Sequence, residues 1–76
     1  MIWWHDVKQG YVVEDDDDEL YVVTDLSIRM DDVAHPFHVV RLFCLSNESI
    51  QGLTVMTAAN VADRSFSLTW KPDEVL

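Results

Sequence analysis

The sequence predicts a mainly β fold, and three observations support that prediction. The 76-residue chain contains 14 Val and Ile residues and four Thr, and branched side chains suit a pleated sheet better than a helix. Apolar residues make up 49% of the chain, with only two Gly and two Pro, which is typical of globular proteins. A chain this short buries only about 60% of its unfolded surface. We therefore expect a single domain, residues 1–76.

The first predicted hairpin surrounds an unbroken run of six carboxylates, Glu14 to Glu19, the acidic run. Gly10 to Val13 leads into this run and Leu20 to Ile28 leads out of it, and both segments contain the triplet Tyr-Val-Val. Two such segments on either side of a polar stretch are typical of a hairpin. We expect the acidic run at a hairpin tip or between two edge strands.

The third predicted strand extends from Phe37 to Leu45, and both alternating sets of its side chains are largely apolar. This pattern predicts a central strand that is covered on both faces. A turn over residues 46–49 then leads into a strand from Ile50 to Thr57, in which Gly52 indicates a bulge or bend.

The last predicted strand, Ser65 to Trp70, has the cleanest alternation of apolar and polar residues in the chain. It is expected to be half-exposed, with Trp70 in the core. Short helical turns are predicted over Ala58 to Asp63, where alanines cluster, and over Pro72 to Val75, where Pro precedes two acids.

Four to five short strands with one or two helical turns suit a small antiparallel sheet or an SH3-like barrel. The first hairpin, and the segment from Trp70 to Val75, resemble the first hairpin and the closing segment of SH3-like barrels. The fold class is therefore expected to be mainly β in either of these two forms.

The charge of the chain is large and unevenly distributed. Fourteen acidic and five basic residues give a net charge of −9, and residues 1–38 contain ten of the acids but only two of the bases. Such a negative surface repels phosphates, so we expect no direct binding of nucleic acid. No apolar run approaches the roughly 18–20 residues that cross a membrane. The first residues lack the features of a signal peptide, so the cytoplasm is the expected location.

Metal binding has little support in the sequence. Asp15, Asp17 and Glu19 match the first three positions of a helix-loop-helix calcium site, but Leu20 and Leu26 stand where that site needs Gly and Glu. His35 and His38 lie near two aspartates, but residues three apart on a strand point to opposite faces. We expect no metal and no cofactor.

Catalysis also has little support. Cys44 lies in an apolar strand, where a thiol is most often an inert core residue. Neither a nucleophile elbow nor a phosphate-binding glycine loop is present. We expect the protein not to be an enzyme.

Two interpretations of the acidic run remain open: a solvated loop that opposes aggregation, or a docking surface for a basic protein. An extended chain spaces its residues by roughly 3.3 Å, close to the roughly 3.4 Å between phosphates of one DNA strand. Tyr11 and Tyr21 flank the run as candidates for apolar contacts, and at least one of two adjacent Trp is expected to be exposed. The predicted partner-binding residues are Glu14, Asp15, Asp16, Asp17, Asp18, Glu19, Asp25, Asp31, Asp32, Trp3 and Trp4.

Small size, strong negative charge, a β-rich pattern and the acidic run together resemble the small acidic inhibitors encoded by phages. These include anti-restriction DNA mimics, anti-CRISPR proteins and uracil-glycosylase inhibitors. The resemblance implies a protein that inhibits a nuclease or effector complex in the host cytoplasm by occupying its basic nucleic-acid-binding surface. The alternative function is an SH3-like structural or assembly module of a phage particle, or an adaptor, that acts as an oligomer such as a homodimer.

Overall fold

The fold is one sheet of five antiparallel strands, as a computed structural model describes it for residues 1–30 and 34–72. The order across the sheet is β4-β3-β2-β1-β5, and a 3-10 helix, Trp4–Asp6, precedes the strands. This arrangement confirms the mainly β prediction, in the form of an open sheet whose edge strands are β4 and β5 among the described residues. The strands are β1 (Val12–Asp15), β2 (Leu20–Arg29), β3 (Phe37–Cys44), β4 (Gly52–Ala58) and β5 (Phe66–Trp70).

The sheet has one buried face, the inner face, and one exposed face, the outer face. Along β3, burial alternates with the side-chain period of a strand, so that Val40 and Leu42 are buried while Arg41 and Phe43 are exposed. The core consists of side chains on the inner face together with the N-terminal segment: Ile2, Trp4, Val7, Tyr11, Val13, Tyr21, Val23, Val40, Leu42, Cys44 and Phe66.

Asp63 attaches the N-terminal segment to the sheet. The backbone amides of Ile2 and Asp63 each donate to the other residue's carbonyl at 2.8 Å, and Trp4 Nε1 donates to Asp63 Oδ2 at 3.1 Å. The Trp4 ring packs edge-on against Phe66, with ring centroids 5.4 Å apart. Because these contacts bury Trp4 to 1% exposure, the N-terminal segment completes the core of a short chain.

Two predictions about β3 and β4 are wrong. The sequence predicts a central strand covered on both faces, but β2 is central and Phe43 on the outer face of β3 is 49% exposed. In β3, apolar side chains on both faces therefore indicate an exposed apolar surface and not a second covering layer. The predicted bulge at Gly52 is absent, because β3 and β4 pair in continuous register from Phe43 opposite Gly52 to Phe37 opposite Ala58.

The predictions for Trp70 and for the segment after β4 are also wrong. A register shift places Trp70 opposite Val12 but Leu68 opposite Val13, which breaks the alternation and leaves Trp70 45% exposed. The predicted helix at Ala58 to Asp63 is replaced by the end of β4 and a turn, because pairing with Phe37 extends β4 through Ala58.

Two parts of the chain lie outside the described residues, namely 31–33 and 73–76. The predicted helical turn from Pro72 to Val75 falls largely there, as do Asp31 and Asp32. Within the described part of the chain, no helix has the length and apolar character needed to cross a membrane.

Candidate functional site

The acidic run forms the tip of the hairpin that joins β1 to β2, which confirms the first of the two expected positions. Its ends pair through the backbone, since the Asp15 amide donates to the Glu19 carbonyl at 3.1 Å. The Asp18 amide donates to the Asp15 carbonyl at 3.2 Å, which closes a tight turn. Asp18 has a φ of 64°, a left-handed conformation that Asp tolerates better than most residues.

The Asp15 side chain organises this turn from within. Its Oδ1 accepts hydrogen bonds from the backbone amides of Asp17 and Glu19, both at 2.9 Å. Its Oδ2 accepts a hydrogen bond from the Tyr21 hydroxyl, also at 2.9 Å. Asp15 is therefore a positioning residue, because its carboxylate is engaged inside the hairpin.

The same hydrogen bonds determine the protonation of the pair. Burial acts to raise the pKa of Asp15, but hydrogen bonds from the Glu19 amide, the Tyr21 hydroxyl and the Asp17 amide outweigh it and lower that pKa below its usual 3.8. Burial, the hydrogen bond to Asp15 and nearby negative charge raise the pKa of Tyr21 to about 12. At neutral pH the pair is thus a carboxylate that accepts from a neutral phenol.

Glu19 connects the hairpin tip to the turn between β3 and β4. Its Oε2 accepts a hydrogen bond from the Ser46 hydroxyl, and Cys44 Sγ lies 3.8 Å from the same oxygen. The Leu20 amide donates to Ser46 Oγ at 2.9 Å. Two neighbouring turns are therefore joined by polar contacts, and Glu19 joins Asp15 as a carboxylate with a structural role.

Three of the four remaining carboxylates of the acidic run are exposed to solvent. Asp16, Asp17 and Asp18 are exposed, and Glu14 is half-buried opposite Leu20. The fold therefore gives the six members different positions: Asp15 and Glu19 hold the turn, three consecutive aspartates present their charge from it, and Glu14 is half-buried in β1.

Of the other predicted partner-binding residues that the structure describes, Asp25 and Trp3 are exposed and Trp4 is buried. Asp25 is exposed in the middle of the sheet, opposite Arg41 on β3, so it lies apart from the hairpin tip and outside the surface that the acidic run presents. Trp3 is 40% exposed and its ring contacts that of His5, with centroids 5.6 Å apart. Trp4 is in the core, which is a correction to its predicted role as a partner contact.

Tyr11 and Tyr21 are also corrected as candidates for apolar contacts with a partner. They are only 7% and 3% exposed, so both belong to the core rather than to an accessible surface. In each Tyr-Val-Val triplet the tyrosine therefore lies on the inner face, as strand alternation requires once the last Val is buried.

An exposed apolar groove lies beside the acidic run and was missed in the sequence. It has a volume of about 490 Å³ and is lined by Phe43, Cys44, Leu45, Glu48 and Gln51 (the Phe43 groove). Phe43 and Leu45 are 49% and 54% exposed. The apolar residues on both faces of β3 are the sequence feature that indicates this groove, although the same pattern predicts a strand buried on both faces.

His38 is the buried polar residue of the inner face. It is 2% exposed, and neither ring nitrogen has a hydrogen-bond partner. Burial, and secondarily the charge of His5, lower the pKa of His38 below 6.5. Among the described residues, no group of three or more His, Cys, Asp and Glu side chains is arranged to hold a metal ion.

Comparison with known proteins adds no relative. No protein-family model, no curated protein and no solved structure matches the chain.

Proposed function

We propose that the protein is a non-enzymatic inhibitor that binds a basic, nucleic-acid-binding surface of another protein through its acidic run. The observation that supports this proposal is the ordered hairpin tip, in which Asp15 accepts three hydrogen bonds while Asp16, Asp17 and Asp18 stay exposed. A solvated loop that only opposes aggregation needs no such internal scaffold.

An ordered turn favours binding because less conformational freedom is lost when the complex forms. The exposed aspartates concentrate negative charge at one tip, which increases the rate of encounter with a basic groove. Because such charges are solvated, the rate falls as salt rises. The acidic run therefore sets the speed and orientation of binding.

The shape of the charged surface favours a local block over mimicry of a whole duplex. Exposed carboxylates are consecutive at the hairpin tip, whereas the outer face further along the sheet contains Arg29 opposite Phe37 and Arg41 opposite Asp25. A target that fits this pattern is a nuclease or effector complex with a narrow basic groove.

A second candidate is a structural or assembly module that acts through its own copies. The observation in its favour is the edge strand β4, which carries Leu53 and Met56 at 38% and 65% exposure. An edge strand can pair with a second copy. Sedimentation equilibrium distinguishes the two functions, because this candidate requires a dimer that Met56→Lys dissociates, whereas the inhibitor functions as a monomer.

The experiment that tests the proposed function is capture of partners from a lysate of the source organism on immobilised protein. Two double variants are compared: Asp16→Asn with Asp17→Asn at the hairpin tip, and Asp6→Asn with Asp25→Asn elsewhere. Both pairs remove two negative charges. A nucleic-acid-binding protein that elutes with salt, and is lost only with the tip variant, supports the proposal; equal retention by both variants contradicts it.

A further inference from the structure

The Phe43 groove lies at the same end of the sheet as the acidic run. Tyr21 near the start of β2 pairs with Cys44 at the end of β3, so the hairpin tip and the turn after β3 are neighbours. The Leu45 amide donates to the Leu20 carbonyl at 2.7 Å, and the Ser46 hydroxyl donates to Glu19. The groove therefore lies at the same end of the sheet as the hairpin that carries the exposed aspartates, and Glu19 is the member of the acidic run that contacts the turn beside it.

The lining of the Phe43 groove combines apolar and acidic side chains. Phe43 and Leu45 provide exposed apolar area, and Glu48 provides a carboxylate from the turn that follows. Gly52, which has no side chain, lies opposite Phe43 on β4, outside the groove and on the side of Phe43 that Arg41 also lines. An aromatic ring and a carboxylate beside each other suit a cation with an apolar stem.

Arginine matches this lining better than lysine. Its planar guanidinium stacks on aromatic rings and binds carboxylates through two parallel hydrogen bonds, whereas lysine presents a compact and strongly hydrated charge. Arginine is also the residue that basic surfaces use most for nucleic-acid recognition. Charge complementarity with Glu48, and with Glu19, whose Oε2 lies 3.8 Å from Cys44 Sγ, selects a cationic occupant over a neutral apolar one.

We propose that the Phe43 groove receives an arginine side chain of the basic partner, with the guanidinium over Phe43 and against Glu48. This inference rests on the proposed function and adds a specificity site to it. The acidic run attracts any basic surface, while the groove discriminates arginine from lysine and slows dissociation.

The test measures binding of two labelled peptides, nine arginines or nine lysines, by fluorescence anisotropy at fixed moderate salt. The wild-type protein is expected to bind the arginine peptide about two- to fivefold more tightly. Phe43→Leu retains an apolar side chain but removes the ring, and Glu48→Gln removes the charge, so each is expected to reduce this preference. Both side chains are exposed, so circular dichroism should show an intact fold.

Matched controls separate this inference from the proposed function. Met56→Leu changes an exposed apolar residue outside the groove, and Asp6→Asn removes one exposed charge on the N-terminal segment; both should retain the preference. Equal affinities for the two peptides, or a preference unchanged in both groove variants, overturn the arginine site alone. Failure of both peptides to bind, or binding unaffected by Asp16→Asn with Asp17→Asn, overturns the proposed function as well.

Discussion

Asp15 has the most hydrogen-bonded carboxylate of the acidic run, and it holds the turn from which Asp16, Asp17 and Asp18 are exposed. We predict that Asp15→Ala lowers the free energy of unfolding by about 1–3 kcal/mol, because two amides and a buried phenol lose their acceptor. Asp16→Ala, an exposed neighbour, should change it by less than about 0.5 kcal/mol. Urea unfolding of both variants measures this, and equal losses would contradict the scaffold role of Asp15.

Tyr21 makes stability sensitive to alkaline pH. Its pKa is raised to about 12 in the fold, against 10.0 ordinarily, so the unfolded chain loses the phenol proton first. The stability contributed by Tyr21 is therefore complete below pH 10 and is lost as pH rises towards about 12. We predict that the unfolding free energy of the wild type falls over this window. Tyr21→Phe should show a shallower fall; an identical slope would contradict the assignment.

His38 makes the stability of the fold sensitive to mild acid, so that stability is lost as the pH falls, whereas the contribution of Tyr21 is lost as the pH rises. Its pKa in the fold lies below 6.5, so the unfolded chain binds the proton first and stability decreases as pH falls below about 6.5. We predict that His38→Leu flattens this decrease between about pH 7 and 5, because the titrating and unpartnered ring is gone.

His35→Gln is the matched control for this acid dependence, because His35 is the exposed histidine near the start of β3. It should retain the decrease of the wild type in urea unfolding at each pH. A decrease that persists in His38→Leu and disappears in His35→Gln would show that the wrong histidine was assigned.

At the scale of elements, the β1–β2 hairpin depends on the left-handed Asp18, whose φ is 64°. We predict that Asp18→Val costs about 1–2 kcal/mol of stability, because a branched side chain opposes that conformation. Asp18→Gly should be neutral or stabilising. Asp16→Val removes the same charge at a position without positive φ, so thermal unfolding should show little loss; equal losses in both Val variants would contradict the turn geometry.

The sequence predicts those strands that are indicated by residues close together in the chain. The two Tyr-Val-Val triplets on either side of the acidic run correctly indicated a hairpin with the run at its tip. The apolar character of Phe37 to Leu45 correctly indicated a strand, although β2 rather than this strand is central in the sheet. Local side-chain preference and chain reversal are enough to place such elements.

Features that depend on distant contacts were not predictable. The exposure of Phe43 depends on the lack of a covering layer, and the exposure of Trp70 depends on a register shift between β1 and β5. The structural role of Asp15 requires Tyr21 to face it, and that of Glu19 requires Ser46. A run of identical charges gives no indication of which members turn inwards.

At the scale of the whole molecule, the sheet brings the hairpin tip and the Phe43 groove to one end. In the function we propose, the exposed aspartates attract a basic partner in a salt-sensitive way, and the apolar area of the groove slows dissociation. The net charge of −9 opposes compact packing of the chain, and the binding role we propose accounts for an acidic tip that adds to this cost.

Displacement of nucleic acid from a captured partner measures whether the acidic run occupies a nucleic-acid-binding surface. A labelled nucleic acid is bound to the captured partner, and its release is measured by anisotropy as the protein is added. We predict stoichiometric release by the wild type and by Asp6→Asn with Asp25→Asn, and at least about tenfold weaker release by Asp16→Asn with Asp17→Asn at low salt. A complex in which the nucleic acid stays bound, or equal release by both double variants, would contradict the account.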